Sequence, residues 1–99
     1  MSHEHFNASV TRKCLITKYV EDNTEQTYEF MGVSEDEYAY FRHKKTNTGL
    51  RINIANIKLE KAERAVSTKL SGCKEKYPWD TWHRRGEIDK LIEPKEFMM

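Results

Sequence analysis

The sequence predicts a small α+β domain, in which an antiparallel sheet carries one packed helix and a C-terminal helical arm. Two observations support this fold class. Residues 9–57 contain four short segments of alternating apolar and polar side chains separated by turn residues, as antiparallel strands do. From residue 55 onward the apolar residues recur every three or four positions, which is typical of a helix.

The composition is that of one folded domain. The chain has 99 residues, and its 11% aromatic content argues against disorder. We expect a flexible N-terminus at 1–8, a domain at 9–93 and a tail at 94–99. The net charge of +1 comes from 17 basic and 16 acidic residues, so an argument for a nucleic-acid partner must come from how the charges are distributed.

Cysteine content and hydropathy predict a cytosolic protein with no membrane segment. Cys14 and Cys73 are too few and too far apart in the sequence to indicate a disulfide framework. The N-terminus lacks the apolar stretch of a secretory signal, and no apolar run approaches the roughly 20 residues that a membrane-spanning helix needs.

The first half of the chain contains three predicted strands before a hairpin. The first spans residues 9–20, where β-branched residues are frequent. The second spans 27–33, and alternation places its Val33 on the face opposite Phe30. An acidic turn then leads into the third strand at 38–45.

A hairpin joins the third strand to a fourth at 50–57. Its predicted loop is 46–49, where Asn and Gly are suited to positive φ. This loop would pair Lys45 with Leu50 and would place Lys44 directly opposite Arg51. One face of the hairpin would then carry Tyr38, Tyr40, Arg42, Lys44, Arg51 and Asn53.

The remainder of the chain is predicted to be mainly helical. A helix at 58–71 would end at Gly72, and a helical arm at 80–92 would begin at a capping Asp80. In an alternative interpretation, residues 55–61 form the closing strand of a small barrel that resembles SH3-like or Tudor-like modules.

The sequence contains no catalytic, cofactor or metal-binding motif. It has no glycine-rich phosphate loop, no nucleophile elbow and no paired Cys-x-x-Cys. Both cysteines occur among apolar residues, so we interpret them as packing residues. His43 and His83 match the inventory of a metal-independent ribonuclease, but the predicted register turns His43 inward beside Phe41.

A candidate binding surface is predicted from the charge distribution. Residues 38–58 contain five basic residues and no carboxylate. Lys44 and Arg51 on one exposed face would repel each other unless an anion lay nearby. In the C-terminal arm we expect Trp82 to pack inward and Trp79 to stay outside with the arginines. The predicted partner-binding residues are Tyr38, Tyr40, Arg42, Lys44, Arg51, Trp79, Arg84 and Arg85.

These residues suggest a non-enzymatic regulatory or accessory protein that inhibits or modulates a protein partner. Tyr, Trp and Arg are the residue types that dominate interface hot spots. The alternative is a module that binds RNA or single-stranded DNA, since the predicted meander and helix are similar in outline to compact single-strand-binding folds. A homodimer through an edge strand is also open. It is equally open whether the C-terminal arm covers the basic face or extends it.

Overall fold

The computed structural model describes residues 8–62, 65–68, 70 and 72–92. The expected α+β class is confirmed: a four-stranded antiparallel sheet carries one long helix and a short C-terminal helix. The predicted tail at 94–99, and all of the predicted N-terminus except Ala8, lie outside the described residues. The elements are α1 (Ala8–Asp22), β1 (Tyr28–Val33), β2 (Tyr38–His43), β3 (Thr48–Asn53), a 3₁₀ turn (Ile54–Asn56), β4 (Leu59–Ala62), β5 (Ala65–Thr68), β6 (Lys74–Pro78) and α2 (Trp79–Arg84).

The main sheet has the strand order β1-β2-β3-β6 and buries side chains on both faces. On its first face, Phe41, Leu50 and Ile52 form a core with residues of α1. On its second face, Tyr40 packs with the two tryptophans. A sheet covered on both sides needs two apolar layers, and the C-terminal residues supply the second one.

The predicted first strand at 9–20 is wrong, because this segment forms α1. Ile16 and Val20, four residues apart, are both fully buried against the first face, and this spacing fits a helix. Burial of that pair outweighs the strand preference of the β-branched residues. The last turn is closed by side chains: the Asn23 amide and the Thr24 hydroxyl donate to the carbonyls of Tyr19 and Val20, at 2.8 and 2.6 Å.

The predicted second strand is confirmed as β1, but a bulge changes which face Val33 occupies. The register with β2 shifts between Phe30 and Gly32. One extra residue reverses the alternation beyond it, so Val33 joins Phe30 in the first core instead of lying opposite it. Gly32 sits at the bulge with φ of 132°, a conformation that side chains rarely adopt.

The predicted hairpin exists with a different register. β2 ends at His43 and β3 begins at Thr48, so the loop is 44–47 instead of 46–49. Phe41 therefore pairs with Leu50, not with Ile54, and Arg51 lies opposite Tyr40, not Lys44. The register is displaced by four residues, an even number, so the two faces of the hairpin keep the predicted composition.

The predicted helix at 58–71 is wrong. Its described residues form the β4–β5 hairpin, in which Leu59 pairs with Thr68. β4 and β5 form a sheet of their own, so residues 55–61 do not close a barrel and the main sheet stays open. Gly72 adopts φ of 73°, as a helix-terminating glycine would, but it precedes β6 instead.

The C-terminal helix is shorter than predicted. α2 ends at Arg84, and a series of turns leads from there to Ile92. Pro78, not Asp80, occupies the capping position, and no side-chain cap is formed. Gly86, with φ of 73°, allows the reversal that ends the helix. We call residues 79–92 the strap, because they cross the second face of the sheet.

Candidate functional site

The strap covers the face that the sequence predicts as a binding surface. Trp82 is fully buried, and its ring lies edge-on to the rings of Tyr40 at 5.3 Å and Trp79 at 6.0 Å. Trp79 is only 7% exposed, so the expectation that it would stay outside is wrong. The inward orientation of Trp82 is confirmed.

Gly49 makes room for the tryptophans. It lies on β3 directly beneath Trp82, and a Cβ atom there would penetrate the indole ring. The absence of a side chain lets the ring rest on the backbone of the sheet. Gly49 therefore leaves a depression in the surface of the sheet, and the strap packs into it as part of the folded domain.

The C-terminal end of the strap is hydrogen-bonded to β1. Val33 and Ile92 form an antiparallel bridge with two backbone hydrogen bonds of 2.8 Å each. A Cβ at Gly32 would lie 2.7 Å from the Cβ of Leu91, so this glycine also allows a close approach of the strap. The strap thus spans the face from β3 and β6 to the edge of β1.

Arg51 is the centre of a polar network beneath the strap. Its guanidinium donates to Glu87 at 2.9 Å, to Glu75 at 3.2 Å and to the Tyr40 hydroxyl at 3.2 Å. It also stacks over the ring of Tyr38, 4.3 Å from the centroid. Two carboxylates of the chain itself therefore provide the negative charge that the charge pattern of this face requires.

The network changes the acid–base properties of its members. Burial disfavours the charged form of the Arg51 guanidinium, but the contacts with Tyr40 and Glu75 outweigh this, and its pKa is raised. Burial also raises the pKa of the Tyr40 phenol, against the effect of the hydrogen bond from Arg51. Arg51 therefore stays charged and Tyr40 stays neutral, the pair of states that this hydrogen-bond geometry requires.

Replacement of Arg51 by alanine is expected to lower the free energy of unfolding by about 1–2 kcal/mol. Glu75 and Glu87 would lose their shared cation while remaining partly buried, at 34% and 23% side-chain exposure. Chemical denaturation measures the change, and Arg84→Ala, on the exposed side of α2, is the control. An Arg51→Ala variant as stable as the control would show that the network contributes nothing.

The predicted surface residues fall into two groups. Tyr40 and Trp79 are buried, while Tyr38 and Arg51 are partly buried in the network, so these four contribute to packing. The others remain exposed: Arg42, Lys44, Arg84 and Arg85. Arg85 is engaged with Glu87 at 2.6 Å.

The two histidines of the ribonuclease hypothesis are not brought together. His43 points to the first face, beside Tyr28 at 5.2 Å, and His83 lies on α2 over the second face. The Nδ1 atom of His43 accepts hydrogen bonds from the backbone N–H groups of Lys45 and Thr46, at 3.1 and 3.2 Å. As expected, His43 lies at the edge of the core and its ring is hydrogen-bonded.

The cysteines occupy packing positions as well. Cys73 is buried in the first core, and burial raises the pKa of the Cys14 thiol on α1, which disfavours the thiolate. In the described part of the chain, no three metal-ligating side chains are grouped as a metal site would need.

One exposed residue was missed by the sequence analysis. Tyr77, on the unpredicted strand β6, is 48% exposed and lies edge-on to Trp82 at 5.9 Å. It occupies the same cross-strand row as Gly49 and Arg42 on the second face. The segment Lys74–Pro78 alternates in charge sign and ends in a proline, which is the signal of an edge strand that the sequence offered.

The fold and this site define a small α+β domain whose sheet is covered on one face by a helix and on the other by its own C-terminal strap. The chain matches no family model, no curated protein and no solved structure. Over the described residues, no helix is long and apolar enough to cross a membrane.

Proposed function

We propose that the protein is a non-enzymatic accessory protein that binds, and thereby inhibits or modulates, a protein partner in the cytosol. The contact surface would consist of the exposed residues of the predicted set, two on the β2–β3 hairpin and two on the strap, together with Tyr77. We call this the Tyr77 surface; it consists of Arg42, Lys44, Tyr77, Arg84 and Arg85.

The exposure of Tyr77 is the observation that carries this proposal. Its ring is held in place by the buried Trp82, so little side-chain freedom would be lost on binding. Arg42 lies in the same row of the sheet, two strands away. A tyrosine and an arginine on one face of a sheet are residue types that are enriched in interface hot spots.

A protein partner is favoured over a nucleic acid because three aromatic residues of the second face are buried. Tyr40, Trp79 and Trp82 are covered, and a stacking platform would need them exposed. The observation that favours nucleic acid is that, among the described residues, no carboxylate pairs with Arg42, Lys44 or Lys45. An affinity pull-down with and without nuclease separates the two: a protein partner persists after the treatment.

Replacing Arg42 and Lys44 together by alanine is expected to weaken partner binding with a change in stability of only about 0.5 kcal/mol or less, because both side chains are exposed. The same result is expected for Tyr77→Ala, with a slightly larger loss of stability. Isothermal titration with the captured partner gives the affinity, and thermal unfolding gives the stability.

The matched control is Lys18→Ala with Lys58→Ala, which removes two exposed cations from other parts of the molecule. Equal weakening by the control would mean that only overall charge matters. A large drop in melting temperature for Arg42→Ala with Lys44→Ala would show that these residues are structural, and unchanged binding would remove the Tyr77 surface from the proposal.

A further inference from the structure

Cavities lie beside β6, which is an edge strand among the described residues. It is the last strand of the main sheet, and no other described strand pairs with its outer side. Three cavities border it, with volumes of about 430, 80 and 320 Å³. Lys74 lines the first two and Lys76 the last two, so the cavities follow one another along the strand.

The backbone of β6 offers hydrogen-bonding groups to this space. Asn53 donates to Cys73 at 2.9 Å and Trp79 donates to Asn47 at 2.6 Å, which fixes the phase of the ladder with β3. By alternation, the N–H and C=O groups of Lys74 and Lys76 point away from β3. Pro78 has the same orientation and has no N–H to donate, so the pairing edge ends there.

The side chains on this edge are cationic. Lys74 and Lys76 are exposed, and among the described residues neither is within ion-pair distance of a carboxylate. Alternate residues of an extended strand are about 6.6–7 Å apart. An extended segment with acidic residues at every second position would therefore match the spacing of the two lysines.

We propose that β6 binds an extended acidic segment of a protein partner, which adds to the sheet as a strand and pairs its carboxylates with Lys74 and Lys76. The proposal rests on the proposed function, and it specifies the chemistry of the partner beside Tyr77. Backbone hydrogen bonds provide the affinity in this mode of recognition, and alternate side chains provide the specificity. Lysines on an edge strand repel basic strands and lose hydration without compensation beside neutral ones, so the same residues disfavour other segments.

Among the described residues, neither a second β6 strand nor the acidic run of a second copy fits this edge. Two β6 strands paired with each other would bring lysines together. The acidic run Glu35 to Glu37 is held in a tight turn, where Glu37 bonds to Ser34 and forms an ion pair with Lys13 at 3.1 Å. That run is not available as an extended strand.

The test uses the full chain and two capped octapeptides, one of alternating Glu and Thr and the other of alternating Gln and Thr. Amide resonances of Lys74 to Tyr77 are followed in ¹H–¹⁵N spectra, and hydrogen exchange is measured at Lys74 and Lys76. The Glu peptide is expected to shift these resonances and to slow exchange at both lysines, whose N–H groups point outward. Lys74→Glu with Lys76→Glu is expected to weaken its binding at least about tenfold, whereas Lys18→Glu with Lys58→Glu is expected to leave it unchanged.

Three results with the peptides would overturn the inference. Equal binding of the Gln peptide would show that the carboxylates are not recognised. If the amide resonances shifted but hydrogen exchange at Lys74 and Lys76 did not slow, the peptide would be attracted by charge without adding to the sheet as a strand. If neither peptide bound, β6 would not be the binding site. The proposed function would then be tested by the Arg42 and Tyr77 variants alone. A ten-nucleotide oligothymidylate that shifts the same amides more strongly would instead overturn the protein partner itself.

Discussion

Replacing Trp82 by alanine is expected to lower the free energy of unfolding by about 3–5 kcal/mol, a large part of the 5–15 kcal/mol typical of a whole domain. Trp82 is the largest fully buried side chain among the described residues. Its removal would leave a cavity between Gly49, Tyr40 and Trp79 that the short strap is unable to fill. Urea denaturation measures the loss.

The control for this variant is Leu15→Ala, which truncates a large apolar residue that is 45% exposed on α1. We expect that change to cost about 0.5 kcal/mol or less. If Trp82→Ala unfolded at the same urea concentration as the control, the strap would be an appendage that detaches from the sheet, and the face beneath it would be available to partners after all.

The central hairpin could be predicted because its signals are local. β3 shows period-two alternation from Leu50 to Asn53, and the loop between β2 and β3 contains turn residues that the sequence displays directly. The register depends on which four residues form the loop, and the pattern leaves that open. The assignment of residues to faces was correct because the error was an even number of residues.

The N-terminal helix could not be predicted from the local pattern. The segment Ala8–Asp22 is rich in β-branched residues, and only Ile16, Thr17 and Val20 are buried in its described part. Three buried residues spaced within five positions are consistent with either a helix or an irregular strand. The choice is made by the sheet, which needs cover on its first face.

The β4–β5 hairpin illustrates the opposite ambiguity. Leu59, Ala62 and Val66 are spaced as on a helix, but few apolar residues define that spacing and both strands have only four residues. A period of 3.6 and a period of two are hard to distinguish over such short segments. The apolar spacing therefore predicted a helix where the chain forms two short strands.

The role of Arg51 was missed because it depends on contacts distant in sequence. Its partners Glu75 and Glu87 lie 24 and 36 residues further along the chain. The charge pattern does indicate that a cation on this face needs a negative neighbour, but it leaves open whether the arm or a partner supplies it. The structure places the arm's Glu87 there.

The sequence draws attention to Gly49 correctly, but it suggests the wrong physical reason for a glycine at this position. The sequence suggests a glycine that allows positive φ in a turn, but Gly49 lies inside β3 and is not among the glycines with positive φ. Its value is the missing side chain beneath Trp82. No backbone reason opposes an alanine, which in an ordinary strand would be about 0.5–1 kcal/mol more favourable than glycine.

Gly49→Ala is nevertheless expected to destabilise the protein by about 3 kcal/mol, the upper part of the range for overpacking. The new methyl group would overlap Trp82, and it would lie 3.0 Å from Cε3 of Trp79. Both rings are confined, so the strap would have to lift from the sheet. Thermal unfolding followed by tryptophan fluorescence reports the loss of stability and the change in ring environment together.

The combination of Gly49→Ala with Trp82→Ala identifies the cause. Neighbouring residues that share one space have non-additive effects, and here the methyl group would enter the cavity left by the indole. The double variant is therefore expected to be as stable as Trp82→Ala within about 0.5 kcal/mol. If the two losses of stability were additive, the destabilisation by Gly49→Ala would come from strain in the backbone of β3. The missing side chain of Gly49 would then not be what allows the strap to pack.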